Sequence, residues 1–300
     1  MPVSRWLLGV VLLLACAGAA PPPPTREVPA PLPQAEPCPD PHRAPEGWLT
    51  DGPLLVGELH GTAETPRLVL SVVCQASRDG GEVQLGLEIP RGEQARLDAF
   101  LRTGDRTALL ASEHWTRAYQ DGRSSVAFLE LLEAARRLRL QGGKVSLFAY
   151  DVDAKVPDRD LAMAQEIHRR SLLSPAPMVI LVGSIHARTT VALPRPMGFR
   201  LIGLGLRPHS LLVEAEGGEA WLCHTRDASS CGPHPGGRPT STPAPVGQFS
   251  SPVTGMRGYE ARFLFARFTA SPPAVPSSSS PSSGPEASPA GRPPASSSGQ

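Results

Sequence analysis

Leu54-Leu55-Val56-Gly57-Glu58-Leu59-His60-Gly61 joins a short apolar run directly to an acid, a histidine and a glycine turn. Apolar on both faces, Pro53–Glu58 reads as a strand of a parallel sheet covered by helices on each side. The pattern recurs. Leu85–Ile89, Val145–Tyr150 and Met178–Gly183 are runs of the same kind, and they deliver Glu88, Asp151 and Gly183-Ser184-Ile185-His186-Ala187-Arg188 at or just past their ends. Phe199–Gly205, Ser210–Glu214 and Ala220–Cys223 continue the strand series, and the aromatic-rich stretch Tyr259–Thr269 adds one more.

Between these runs the apolar residues fall at helical spacing. Helices are predicted over Thr65–Ala76, with Thr65 as N-cap and Pro66 as first residue, over Glu93–Leu101, and over Ser124–Leu140 with Ser124 or Ser125 as cap. Asp158 caps a fourth, which runs to about Arg170. Strands alternating with helices predict an α/β fold with a mostly parallel sheet flanked by helices. In such a fold, function is expected at the carboxyl ends of the strands.

Four strands thus bring two histidines and three carboxylates to one rim. Gly57-x-x-His60 and Gly183-x-x-His186 share one spacing, and residues two apart on a strand share a face, so Glu58 and His60 can point the same way. The candidate catalytic residues are His60, Glu58, Glu88 and His186, with Glu64, Asp151, Arg188 and Arg123 as secondary candidates. Glu64 also suits the helix N-terminus it precedes, an Asp151–Arg188 pair would fix two loops, and Arg123, in the turn Asp121–Ser125, could bind an anion. Arg159 and Asp160 read as surface residues in the first turn of the Asp158 helix. Three chemistries stay open. A neutral His beside a carboxylate can take a proton from water, His60, His186, Glu58 and Glu88 can complete a divalent-metal site, and a surface His or Tyr can ligate haem iron.

The 300 residues include 35 Pro and 29 Gly, and the prolines have addresses. Eleven fall in Ala17–Glu46 and eight in Ala270–Gln300, so residues 17–46 read as an extended linker and residues 270–300 as a disordered Ser/Pro tail. The folded domain is expected over residues 47–269, with a long loop at residues 232–252. Net charge of +1 and few aromatics exclude nucleic-acid binding as the business of this chain, and leave a small molecule or a peptide as the expected substrate.

At the start, Arg5 precedes the apolar run Trp6–Ala15, too short to span a bilayer and suited to the core of an export signal in residues 1–16. Leu13-Leu14-Ala15-Cys16 resembles a lipobox, in which Cys16 would be lipidated and the domain held at the bacterial cell envelope by that anchor alone. Cleavage near Ala17-Gly18-Ala19, giving a periplasmic or secreted protein, is the alternative. With Cys16 set aside, an even number of cysteines remains for an oxidising compartment. Cys223 and Cys231 suit a local clip, and Cys38 could tie the entering chain to Cys74 on a helix.

Taken together, Gly57-Glu58-x-His60-Gly61, Leu87-Glu88, the Asp121-Gly122-Arg123-Ser124 turn, Arg159-Asp160-x-x-Met163-Ala164 and Gly183-x-x-His186-Ala187 resemble the superfamily of ChaN-like haem-uptake lipoproteins, erythromycin esterases and Tiki/TraB proteins. The resemblance spans roughly Leu54–Gly205 and implies an α/β domain with its site at the strand ends. Tiki-like members imply a metal held by His60, His186 and Glu58 or Glu88. Esterase-like members imply His60 as the base for water, with Glu58 and Glu88 beside it. ChaN-like members imply an envelope lipoprotein that binds haem, although the paired His they carry after the first motif is replaced here by Thr65-Pro66-Arg67. The cofactor implied is therefore a divalent metal or, alternatively, haem.

Overall fold

The computed structural model describes residues 38, 42–78, 81–152, 155–191, 194–225, 227–237, 245–250 and 257–276. Cys16, the export signal, most of the proline linker and residues 277–300 lie outside them. In chain order the elements are α1 (Trp48–Asp51), β1 (Leu54–Glu58), α2 (Glu64–Arg78), β2 (Glu82–Pro90), α3 (Gln94–Thr103), α4 (Arg106–Leu110), α5 (Glu113–Thr116) and α6 (Val126–Leu140). There follow β3 (Lys144–Asp151), α7 (Arg159–Leu173), β4 (Met178–Gly183), α8 (Ser184–Ala187), α9 (Met197–Gly203), β5 (His209–Ala215), β6 (Glu219–Cys223), β7 (Cys231–Pro235), β8 (Phe249–Ser250) and β9 (Ala261–Phe265).

Seven strands form one sheet in the order β3-β2-β4-β1-β5-β9-β8, parallel throughout except for β8, which runs against β9 at the edge. The fold class expected from the sequence is therefore the one observed. Alternation along each strand sorts the apolar side chains into two layers. Leu54, Val56, Leu85, Leu87, Val179 and Leu181 face α2, α3 and α6, whereas Leu55, Phe148, Tyr150, Ile180 and Val182 face α7 and α9. Each large apolar side chain so buried contributes about 1.5–3 kcal/mol. Gly86 belongs to the second layer, and a Cβ there would stand 2.6 Å from both Ile180 and Phe148. Its missing side chain is the space those two fill.

Three segments depart from expectation. Phe199–Gly205, read as a strand, lies mostly in the helix α9. Pro196 occupies its N-cap position, Met197 and Leu201 bury on one face four residues apart, and Ile202 is 47% exposed. The loop expected at 232–252 contains paired chain at both ends, since β7 completes an antiparallel hairpin with β6 and β8 edges the main sheet. Past Thr269, the expected end of the domain, residues 270–276 continue along its surface. Ser271 Oγ accepts from the Ala127 amide at 2.9 Å, Pro272 carbonyl accepts from Val126 at 2.8 Å, and Gln120 Nε2 donates to Val275 carbonyl at 2.9 Å.

Capping went largely as the local chemistry requires. Ser125 accepts from the Phe128 amide and Asp158 from the Leu161 amide, while α2 starts at Glu64, one residue before the expected Thr65 cap. Disulfides join Cys38 to Cys74 and Cys223 to Cys231, the pairs the spacing suggested. Such bonds belong to a chain folded in an oxidising, extracytoplasmic compartment. No helix among the described residues is long and apolar enough to cross a membrane.

Candidate functional site

The carboxyl ends of β1, β2, β3 and β4 meet the first turn of α7 and the turn before α6. Glu58 closes β1, and its Oε1 lies 2.8 Å from His60 Nδ1, so the imidazole is gripped two residues downstream of its partner. Gly61 makes the turn that follows, with φ at 77°, and a side chain there would stand 2.2 Å from the Trp221 carbonyl on β6. That hairpin clamps the turn, because the Trp221 amide donates to the Gly61 carbonyl at 2.9 Å. The other ring nitrogen of His60 faces Glu88 Oε2 at 3.7 Å, beyond hydrogen-bond reach. His60 keeps 22% of its side chain exposed, while Glu58 and Glu88 are buried.

Glu88 is the hub of the rim. Its Oε1 accepts from Arg123 at 3.1 Å and from Arg159 at 2.7 Å, and its Oε2 accepts from the Gly183 amide at 2.8 Å. The same two arginines share buried Asp151, Arg123 through Nη1 at 3.1 Å and Arg159 through Nε at 2.7 Å, and Arg123 also grips Asp121. His186 completes the ring. Its Nδ1 lies 2.7 Å from Asp160 and its Nε2 is 3.2 Å from Arg159 Nη1. A guanidinium can only donate, so Nε2 accepts and the proton sits on Nδ1, toward Asp160. His60 and His186 face each other across Gly183: a Cβ there would lie 2.9 Å from His60 Nε2 and 3.5 Å from His186 Cδ2.

Charge follows from this geometry. Burial opposes ionisation of Glu88, yet His60, Arg123, His186 and Arg159 hold its carboxyl far below the usual range. Burial likewise opposes Asp121, and Arg123 overrides it in the same direction. Burial pushes the Glu58 carboxyl up, against the hydrogen bond and charge of His60. For His60, burial would lower the pKa, but the charges of Glu88 and Glu58 and the Glu58 hydrogen bond together raise it. The outcome is a firmly ionised Glu88 beside an unusually basic imidazole.

Of the residues expected at the rim, His60, Glu58, Glu88, His186, Asp151 and Arg123 come together. Glu64 does not, since its Oε2 accepts from the Thr269 amide at 2.9 Å on the far side of the first turn. The expected Asp151–Arg188 pair is absent as well. Asp151 is taken by Arg123 and Arg159, and Arg188 Nε donates to the Tyr259 hydroxyl at 3.2 Å. Asp121, Arg159 and Asp160 are rim residues that sequence reasoning assigned to a turn or to the surface. The signal for them lay in the motifs that carry the resemblance, which include Arg159-Asp160 and the turn that begins at Asp121.

The donors fit neither cofactor. Among the described residues no three His, Cys, Asp or Glu side chains are grouped to hold a metal ion, and at the rim Glu88 Oε1 already accepts from two arginines, His60 Nδ1 is held by Glu58, and both nitrogens of His186 are engaged. Two guanidinium groups occupy the space where that charge would sit. Haem would need an axial ligand over a broad apolar face, whereas the rim is ionic, and in the first turn of α2 Thr65 is buried and Arg67 carries no ring nitrogen.

No family model and no curated protein matches the sequence. The fold is shared with a solved Bacillus cereus protein, at 11% identity over 75% of this chain and 91% of that one, with a TM-score of 0.54. Structures of an erythromycin esterase in its open conformation and of Campylobacter jejuni ChaN with cofacially bound haem also match. The esterase is 12% identical over 58% of this chain and 72% of its own, with a TM-score of 0.44. For ChaN the values are 11%, 55%, 82% and 0.39. What is shared with the Bacillus cereus protein is the fold, and no activity passes with it.

Proposed function

We propose that the domain hydrolyses an ester or an amide, with His60 as the base that activates water. One observation carries this reading: the His60 ring is fixed through Nδ1 by Glu58, which leaves Nε2 facing the cleft beside Gly183. Water donating to Nε2 gives up its proton as its oxygen attacks the carbonyl carbon, and the imidazolium that forms lies between Glu58 and Glu88; collapse of the tetrahedral intermediate then breaks the C–O or C–N bond, and the departing alcohol or amine takes the proton back from Nε2, which leaves the acid and a neutral His60. Arg123 and Arg159 keep Glu88 ionised for that moment and add positive charge near the developing oxyanion. Asp160 and Arg159 hold His186 in a single tautomer on the opposite wall. The superfamily that the motifs resemble includes enzymes of this chemistry.

We further propose that the domain is displayed at the cell envelope, tethered through Cys16 and spaced by the proline linker. Hydrolysis of a panel of para-nitrophenyl esters and aryl amides by the wild type and by His60→Gln tests the first claim. Turnover that survives the substitution removes His60 from the mechanism. Lipid labelling of the wild type against Cys16→Ala tests the second. An unlabelled, unanchored wild type ends it.

A further inference from the structure

Beside the rim lies a groove of about 470 Å³, bounded in part by Leu59, Ser184, Arg188, Glu214, Tyr259 and Phe268. The ionic side chains of the rim do not line it, but its lining is next to them in the chain: Leu59 sits between Glu58 and His60, and Ser184 follows the glycine that both imidazoles flank. The volume is that of a small-molecule site.

Arg188 is held in place within this groove. Its Nε donates to the Tyr259 hydroxyl at 3.2 Å, and that hydroxyl donates to the Ser184 carbonyl at 2.6 Å. The guanidinium carbon stands 5.9 Å from the Tyr259 ring centre. Its stem fills the place of a side chain on Gly258, whose φ of +97° suits glycine and where a Cβ would meet Arg188 Cβ at 3.0 Å. Among the described residues, no carboxylate lies within ion-pair distance of Arg188. The groove's acid, Glu214, is paired with buried Arg262 at 3.9 Å, so its charge is answered elsewhere.

A guanidinium whose Nε is spent still presents two Nη groups in the fork that matches a carboxylate. We infer that Arg188 binds the anionic end of the substrate and selects esters or amides whose acyl part ends in a carboxylate on a short apolar chain. The apolar chain would lie along Leu59, Leu212 and Phe268. This inference rests on the hydrolase reading of the neighbouring rim.

The test compares the monoester of para-nitrophenol with glutaric acid against para-nitrophenyl valerate, which differ mainly in the terminal charge. The wild type should favour the charged ester in kcat/KM by about ten- to a hundred-fold, the worth of a charge-assisted hydrogen bond. Arg188→Gln should collapse that ratio, Arg188→Lys should restore part of it, and Tyr259→Phe should lower it. Because the ratio is taken within one preparation, partial unfolding of a variant does not change it. A wild type that prefers the neutral ester, or a preference that survives Arg188→Gln, overturns the inference. Glutarate binding, read by calorimetry, separates the two claims. Binding to the wild type but not to Arg188→Gln, with no ester hydrolysed, would retain the anion site and discard the hydrolase reading. Hydrolysis without charge preference and without glutarate binding would do the reverse.

Discussion

His60 acts as a base only while neutral, so the raised pKa that Glu88 and Glu58 give it moves the acid limb of kcat/KM above the ordinary imidazole value of 6.5. A pH–rate profile with that limb at or below 6.5 contradicts the assignment, and Glu88→Gln should draw the limb downward. Stability carries the same shifts with opposite signs. The His60 contribution is full below the unfolded value and is lost as pH rises through the raised one, whereas the Glu88 contribution is full above about 4.5 and is lost as pH falls through its depressed value. Gly183 yields a second prediction. In Gly183→Ala the methyl would press on His60 Nε2, so turnover should fall at least ten-fold, and the melting temperature should move little if the ring tilts aside to admit it. The acids and histidines of β1, β2 and β4 were legible because each directly follows an apolar strand. Asp160 was not, since an Asp in a first helical turn is already explained by the helix dipole, and its contact with His186 spans 26 residues of chain that only the fold closes.

The β6–β7 hairpin has two tasks, to grip the Gly61 turn and to wall the groove, and a disulfide closes it across eight positions. Loop-closure entropy gives that bond about 2.5 kcal/mol and the Cys38–Cys74 bond, which spans 36 positions, about 4 kcal/mol. Serine at both positions of each pair should therefore lower stability more for Cys38 and Cys74. Activity should order the other way at a temperature where both variants stay folded, because of the two disulfides it is the Cys223–Cys231 bond that closes a hairpin touching the turn after His60. Equal activities in the two double variants would detach the hairpin from the site. The misreading of α9 belongs to this scale too. Phe199–Gly205 is a short apolar run, and periodicity cannot tell a buried strand from a helix of that length; burial of Met197 and Leu201 on one face decides it, and that face exists only once α7 is packed beside it.

For the whole molecule, residues 270–276 matter more than their proline content suggests. A chain ending at Thr269 loses the hydrogen bonds that Ser271 Oγ and the Pro272 and Val275 carbonyls accept from Ala127, Val126 and Gln120, and should melt at a lower temperature than one ending at Pro276, with a loss of about 2 kcal/mol or more. Equal melting would show that this stretch contributes nothing. The sheet order has a consequence in time. β1, which carries Glu58 and leads into His60, hydrogen-bonds to β4 and β5, and β5 in turn to β9, so its neighbours come more than a hundred residues later. A chain emerging from a ribosome or a translocation pore N-terminus first has nothing to pair with this strand until most of its length is out. Closing such distant pairings is slow. However the chain emerges, the strand that leads into His60 stays without its sheet neighbours until β4 has followed it.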